Sequence, residues 1–428
     1  MAGFRSVNRS SSAGRRLRGS DVGALGFCFI YLLAWVLSEK RRAIPWRTVA
    51  GGIALQLGFA ALLLGLPPAQ RALFLLNKAA IALQDATDAG AAFVFGYLAG
   101  PPLPFIETHP GASFILAFRA LPLVLVISAL ASLLFYWGVL QRVTAAFAWL
   151  LRRALGVSGA LSLGAAVHIF LGMIEAPLLV RPYLARMQRG EFFALMSCGM
   201  AGVAGTVMVI YASILSPVLP NALGNILIAS VVSTPAALAI AALMVPFTPD
   251  PGGEGRIALH DPPLSVMDAL VKGTMDGIRP LVAITATLLV AVALVTLVNS
   301  MLGWLPGTPT LQGMFALPFR PAMWLIGVPW RESAAAASLM GTKTVLNEFV
   351  AYLDLARLPA DALSQRSRLI VSYALCGFAN FGSCGILIGG LAAMVPERRG
   401  EIVTLGLRSI LSGTMATCTS GALVGLIG

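Results

Sequence analysis

Polar residues in this chain come in short bursts, and between the bursts run long stretches without a single charge. Seven such stretches stand out: Val22–Ser38, Thr48–Gln70, Ala120–Gln141, Phe192–Pro249, Pro280–Phe319, Leu369–Pro396 and Ser409–Gly428. A helix needs about 20 apolar residues to cross the hydrocarbon core of a bilayer. The 58 residues of Phe192–Pro249 allow two crossings, with Pro217 and Pro220 marking the turn. Pro280–Phe319 supplies one span before Pro306. The pattern predicts eight transmembrane helices.

Three further apolar regions are not simple crossings. Residues 71–97 are mildly amphipathic and carry Lys78, Asp85 and Asp88, as a helix lying in the membrane interface would. Residues 154–187 and 310–355 are long enough to span, yet each holds a Glu near its middle and is interrupted by Gly or Pro. The polar connection 248–279 predicts a loop followed by an amphipathic helix from Ser265 to Gly277.

Composition agrees with this pattern. Only 11% of the 428 residues are charged and 58% are hydrophobic, whereas soluble domains carry roughly a quarter charged residues. A water-soluble fold cannot hide that much apolar surface, so a lipid bilayer is the expected partner. A cytosolic enzyme, a disordered chain and a secreted disulfide scaffold are excluded. The net charge of +12 comes without a basic patch interleaved with aromatics, so nucleic acid is not an expected partner. The five cysteines are scattered, with no CxxC, and read as small buried hydrophobes. Lys40, Arg41, Arg42 and Arg47 follow the first span, and Arg142, Arg152 and Arg153 follow the third. The excess of positive charge predicts both loops in the cytoplasm and the N-terminus outside. Five arginines among the first 20 residues argue the other way.

The two interrupted regions echo each other. "GMIEAPLLVRPYL" (Gly172–Leu184) is followed by "CGMAGVAGT" (Cys198–Thr206), and "LNEFVAYLDL" (Leu346–Leu355) by "CGFANFGSC" (Cys376–Cys384). Each has an isolated Glu and then a Cys-Gly-x-Ala stretch, 23 and 28 residues further on. A carboxylate inside a bilayer is costly and faces a cavity or a partner. Gly-rich interrupted helices free backbone groups that protein, water, ion or substrate must satisfy. Corresponding broken segments in two halves of a chain point to a transporter binding site.

At these residues the chain resembles the concentrative nucleoside transporter family. "EAPLLVRPYL" (Glu175–Leu184), "MDALVKGTMDG" (Met267–Gly277), "GVPW" (Gly327–Trp330), "VLNEFVAYLDL" (Val345–Leu355) and "CGFANFGS" (Cys376–Ser383) occur in family order. The resemblance covers about residues 20–428 and implies an all-α polytopic membrane protein. It would have eight transmembrane helices and two re-entrant hairpins, Leu161–Met187 and roughly Leu311–Leu355, in inverted repeats. The implied division is a basic tail (1–20), scaffold helices with an interfacial helix (21–140) and a first transport repeat with hairpin 1 (141–247). A loop, interfacial helix and scaffold helix (248–309) and a second transport repeat with hairpin 2 (310–428) complete it. A homotrimer in a bacterial inner membrane, carrying substrate by an elevator motion, is implied too.

The resemblance also implies a binding site. Ribose hydroxyls are donors, so carboxylates are natural acceptors, and such charge-assisted bonds are strong. Glu175 and Glu348 would take the ribose hydroxyls, Asn380 and Ser383 would add bonds, and Phe378 would pack on the base or sugar. Two departures matter. The family pattern before the first Glu is Gly-Gln-Thr, whose Gln and Thr bond the base; here it is Gly172-Met173-Ile174. Met173 and Ile174 supply no such bonds, which predicts loose base selectivity or another ribosylated substrate. The second departure is His168, where sodium-coupled members carry an Asn that helps bind the ion. Its partner ligands map to the Leu171 and Val207 carbonyls and the Thr206 hydroxyl. An imidazole is a poor sodium ligand and titrates near neutral pH, and on a continuous helix His168 and Glu175 would share a face. The expected coupling ion is therefore H+, with Na+ as the alternative; no cofactor and no other metal is expected.

Lys343 is expected to snorkel or pair with a carboxylate, and Arg331 and Glu332 to anchor at the interface. His109 and His260 read as loop residues. An intramembrane enzyme would need machinery that is lacking, since neither HExxH nor GxSxG occurs. A channel would not require two matched carboxylate-bearing hairpins. The remaining alternative is a sodium-coupled carrier for another ribosylated or nucleobase-like solute.

Overall fold

The computed structural model describes residues 19–108, 113–248 and 263–427. The arginine-rich tail, His109, His260 and most of the polar loop after residue 248 lie outside the described residues. Every regular element among the described residues is helical.

The first helices are α1 (Gly19–Val36), α2 (Trp46–Gly65) and α3 (Pro67–Phe95). The short α4 (Leu116–Arg119) leads into α5 (Pro122–Tyr136). Two similar series follow. The first runs α6 (Val139–Leu155), α7 (Gly159–His168), α8 (Glu175–Leu179), α9 (Arg181–Leu184), α10 (Arg189–Ala201), α11 (Gly205–Leu215) and α12 (Ala222–Met244). After α13 (Val266–Leu302), the second runs α14 (Leu311–Leu325), α15 (Ser333–Val345), α16 (Glu348–Arg357), α17 (Gln365–Leu375), α18 (Phe381–Met394) and α19 (Arg399–Ile427). Each series is a leading helix, a hairpin of two short arms, a helix broken in its middle, and a long closing helix.

The eight crossings are α1, α2, α4–α5, α10–α11, α12, α13, α17–α18 and α19. Among the described residues, six helices are long and apolar enough to cross by themselves, counting α4–α5 and α10–α11 each as one. The expected turn at Pro217–Pro220 separates α11 from α12.

Two features differ from the sequence reading. Ser265–Gly277 is not a separate amphipathic helix. Ser265 caps α13 by accepting the Asp268 amide (3.1 Å), and the helix then runs unbroken through Pro280. Proline is tolerated in membrane helices because neighbours and local adjustment re-satisfy the freed carbonyl. Hairpin 2 is also shorter than residues 311–355 suggested. α14 is a leading helix, and the hairpin proper is α15 and α16, turning at Leu346–Asn347.

Packing divides the helices into two groups. α13 runs against α5, where Gly273 lies so close to Ser132 Cβ and the Ser128 carbonyl that a methyl there would meet them at 2.6 and 2.7 Å. Most of α13 otherwise faces outward. α1 and α2 are joined to α19 by a buried chain in which Tyr31 donates to Gln56 (2.7 Å) and Gln56 to Thr419 (2.9 Å). The core is built around α10, α12 and α19, whose spans are largely buried.

Candidate functional site

The two broken helices cross at their breaks. Gly377, between α17 and α18, has φ +156°, and a Cβ there would lie 2.7 Å from the Met200 carbonyl oxygen at the end of α10. Only glycine lets the strands of unwound backbone approach so closely. The Phe378 amide donates to the Gly202 carbonyl (3.3 Å) across the crossing. Hairpin 1 is tied to the same place, since the Gly205 amide donates to the Phe170 carbonyl (2.9 Å). The first hairpin thus meets the first break where the second break crosses it.

A cavity of about 200 Å³ lies between these tips, the breaks and the α5–α13 pair. Met173, Ile174 and Glu175 from hairpin 1, Val207 from α11, Glu348 from hairpin 2, and Phe378, Asn380 and Ser383 from the second break all line it. The two carboxylate residues thus share one cavity rather than facing lipid. Their surroundings differ. Glu348 is buried; its Oε1 accepts the Tyr211 hydroxyl (2.7 Å) and its Oε2 the Asn380 amide (3.0 Å). Glu175, in the first turn of α8, is exposed. It also borders a second cavity of about 290 Å³ beside α5 and the start of α13.

Local sequence explains the geometry. Asn347 caps α16, its Oδ1 accepting the Val350 amide (3.0 Å), so Glu348 is held in the first helical turn, where a negative charge is favoured. Asn380 caps α18 in the same way, accepting the Ser383 amide (2.7 Å). Met173 and Ile174 give the first hairpin tip an apolar wall, as their side chains dictate.

The residues mapped to the coupling site come from the end of α7, the turn after it and the start of α11, segments that the Gly205–Phe170 bond holds together. Leu171 and Thr206 border the second cavity with Glu175, while Val207 borders the central one. His168 borders neither. α7 ends at His168 and the chain turns through residues 169–174 before α8 begins, so no continuous helix aligns His168 with Glu175. The imidazole is buried, packs against Gly199, and its Nε2 has no partner. Among the described residues no group of three or more His, Cys, Asp or Glu is placed to hold a metal.

Lys343 does not snorkel. It is wholly buried and donates to the Ala374 carbonyl (2.9 Å), with the Thr417 hydroxyl 3.5 Å away. Glu332 is no simple anchor, because it accepts both the amide (3.0 Å) and the hydroxyl (2.9 Å) of Ser364. Sequence reasoning missed Tyr211 and Thr287, which line the central cavity from α11 and α13. Tyr211 was within reach: it follows Val207 by one helical turn and shares its face.

The comparisons with known proteins cover the whole of this architecture. Family models match residues 25–98 ("Na+ dependent nucleoside transporter N-terminus"), 117–218 ("Nucleoside recognition") and 225–425 ("Na+ dependent nucleoside transporter C-terminus"). An uncharacterized transporter of Haemophilus influenzae is 38% identical, covering 94% of this chain and 96% of its own. The putative nucleoside permease NupX of Escherichia coli is 33% identical over 94% of this chain and 97% of its own. The nucleoside permease NupC of Helicobacter pylori is 32% identical, with 94% and 96% covered. Among solved structures, CNTnw in an inward-facing substrate-bound state superposes with a TM-score of 0.86 at 37% identity, covering 95% of this chain and 97% of that one. Matched along nearly all of its length, and built on paired hairpins and broken helices, this multi-pass membrane protein belongs to the concentrative nucleoside transporter family.

Proposed function

We propose that this chain is a cation-coupled carrier that imports nucleosides across a bacterial inner membrane. One observation carries the reading: Glu175 and Glu348, from the tips of two pseudo-repeated hairpins, line one cavity together with Asn380, Ser383 and Phe378. In this reading the carboxylates accept the ribose hydroxyls, Asn380 and Ser383 add bonds, and Phe378 stacks on the base or sugar. Met173 and Ile174 face the base with apolar surface, so base selectivity is loose.

The moving unit comprises the two repeats together with α1 and α2, which the division at 21–140 assigns to the scaffold but which the Tyr31–Gln56–Thr419 chain ties to α19. It slides as an elevator against α4–α5 and α13, whose Leu121, Ile284, Thr287 and Ala291 form the opposite wall of the cavity. A homotrimer holds the α5–α13 pairs as the fixed frame.

The coupling ion in this proposal is the proton, because an imidazole stands where sodium would need an oxygen, and its Nε2 is unpartnered. Sodium is the second reading. It is favoured by Leu171 and Thr206, which border one cavity beside Glu175, and by the family description as Na+ dependent. Uptake of radiolabelled uridine and adenosine into proteoliposomes, under sodium and pH gradients applied separately, decides between them. Uptake driven by the pH gradient and abolished in Glu348→Gln supports the proposal. Uptake that needs sodium and ignores pH overturns the proton coupling; no saturable uptake of any nucleoside overturns the substrate.

A further inference from the structure

Each hairpin sends one basic side chain from its first arm to the break of the helix that follows. In hairpin 1 this is His168, whose imidazole packs against Gly199 in the last turn of α10, just before the first break. In hairpin 2 it is Lys343, whose Nζ reaches the second break 2.9 Å from the Ala374 carbonyl oxygen. Ala374 stands in the last turn of α17, where carbonyls lack helical partners and the helix dipole presents its negative end. An ammonium satisfies that end with both a hydrogen bond and a charge.

Two contacts from hairpin 2 therefore straddle one break. Lys343 holds the near side at Ala374, and Glu348 holds the far side at Asn380 (3.0 Å). Lys343 is wholly buried and Glu348 is 4% exposed. Lys343 meets no cavity or surface and Glu348 only the central cavity, and a lone buried charge in a membrane protein is strongly destabilising. The two stand five residues apart on either side of the hairpin turn at Leu346–Asn347, one bonded to each side of the same break. The thiols of Cys376 and Cys418 also lie near the ammonium, and neither is a fixed countercharge.

We infer that Lys343 is a positioning residue for substrate binding: it is the internal countercharge of Glu348 and the pin that holds hairpin 2 on the α17–α18 break. The inference rests on the proposed role of Glu348 for its effect on uptake, but the charge pairing stands without that role. Held this way, the carboxylate stays aimed at the cavity in the absence of substrate, ready to accept hydroxyl donors.

The test is a double-mutant cycle in melting temperature on the full chain in detergent, using Lys343→Met, Glu348→Gln and the double variant. Lys343→Met should melt at least about 5 °C below the wild type, and adding Glu348→Gln should recover about half or more of the loss. Additive losses, or a double variant that fails to fold, overturn the pairing. This cycle needs no transport, so it decides the inference even if nucleosides are not the substrate. In uptake, Lys343→Gln keeps a donor and removes the charge. A rise of about tenfold or more in the uridine KM, with the saturated rate changed less than about threefold, is the expected split. An unchanged KM overturns the positioning role.

Discussion

The amide of Asn380 donates to Oε2 of Glu348 at 3.0 Å, while the Oδ1 of the same side chain accepts the Ser383 amide at 2.7 Å. One side chain both starts α18 and orients the buried carboxylate. Helix geometry and site geometry are thereby coupled through a single residue. Asn380→Asp keeps the cap acceptor but turns a second carboxylate toward Glu348 in a buried site, where like charges repel strongly. Binding of uridine, measured by calorimetry, should weaken by about tenfold or more. Asn380→Ala loses the cap as well, costing about 0.5–2 kcal/mol of stability, and should show a lower melting temperature than Asn380→Asp at pH 5. A variant of either kind with unaltered affinity would exclude Asn380 from the site.

Tyr211 isolates the other half of the Glu348 environment. Its hydroxyl donates to Oε1 (2.7 Å), while its ring packs on Phe349 and Tyr352 with centroids 6.0 and 5.0 Å apart. Tyr211→Phe keeps the ring packing and removes only the donor. A hydrogen bond to a charged group contributes about 1.5–3 kcal/mol. Losing it from the substrate-free protein should lower the melting temperature by roughly a few degrees, and the uridine KM should rise because Glu348 loses one of the two bonds that aim it. Transport kinetics beside a melting curve check both parts.

The apolar wall predicts a gain rather than a loss. Ile174 lies over Gly390 with its side chain in close contact, and Met173 is buried beside it. Met173→Gln with Ile174→Thr adds donors and acceptors to this wall and opens space above Gly390. A site that hydrogen-bonds its ligand discriminates more sharply than one that only encloses it. Competition uptake with adenosine, uridine and inosine should show a spread of inhibition constants about tenfold wider in the double variant. An equal spread in both proteins would mean that the base does not face these residues.

Much of the fold is legible in the sequence because the bilayer imposes a strong pattern. Charge-free runs give the eight crossings, and the Glu-then-Cys-Gly-x-Ala echo gives the two series of hairpin and broken helix. The boundary errors have a common cause. Ser265–Gly277 and the span beyond Pro280 differ in polarity, yet backbone hydrogen bonding carries α13 through the change. α14 and α15 form one apolar region in sequence, and only the turn at Ile326–Glu332 separates them. Pattern alone leaves Lys343 to snorkel or pair with a carboxylate and does not reveal that an end-of-helix carbonyl awaits it. Tyr211 had no motif of its own, and its role depends on a contact across 137 residues. Pairwise chemistry between distant segments is what hydropathy cannot express.

Outside the membrane core, Glu39 links the α1–α2 connection to two helices of the repeats. Arg189 at the start of α10 bonds it at 3.0 Å, and Arg408 on α19 bonds it as well while also reaching the Leu37 carbonyl (3.1 Å). Partial burial works against the Glu39 charge, but the two guanidinium groups outweigh it and hold the carboxyl below the usual range. A carboxylate whose folded value is depressed stabilises the protein fully above its ordinary value of about 4.3, and loses that contribution as pH falls toward the folded value. The side chains are 29–41% exposed, so solvent screens the pairs, and each contributes about 0.2–1 kcal/mol. Glu39→Gln should therefore melt a few degrees below the wild type at pH 7, roughly, with the gap closing as the pH approaches 3 and shrinking in high salt. A gap independent of pH and salt would assign the effect to packing instead of charge.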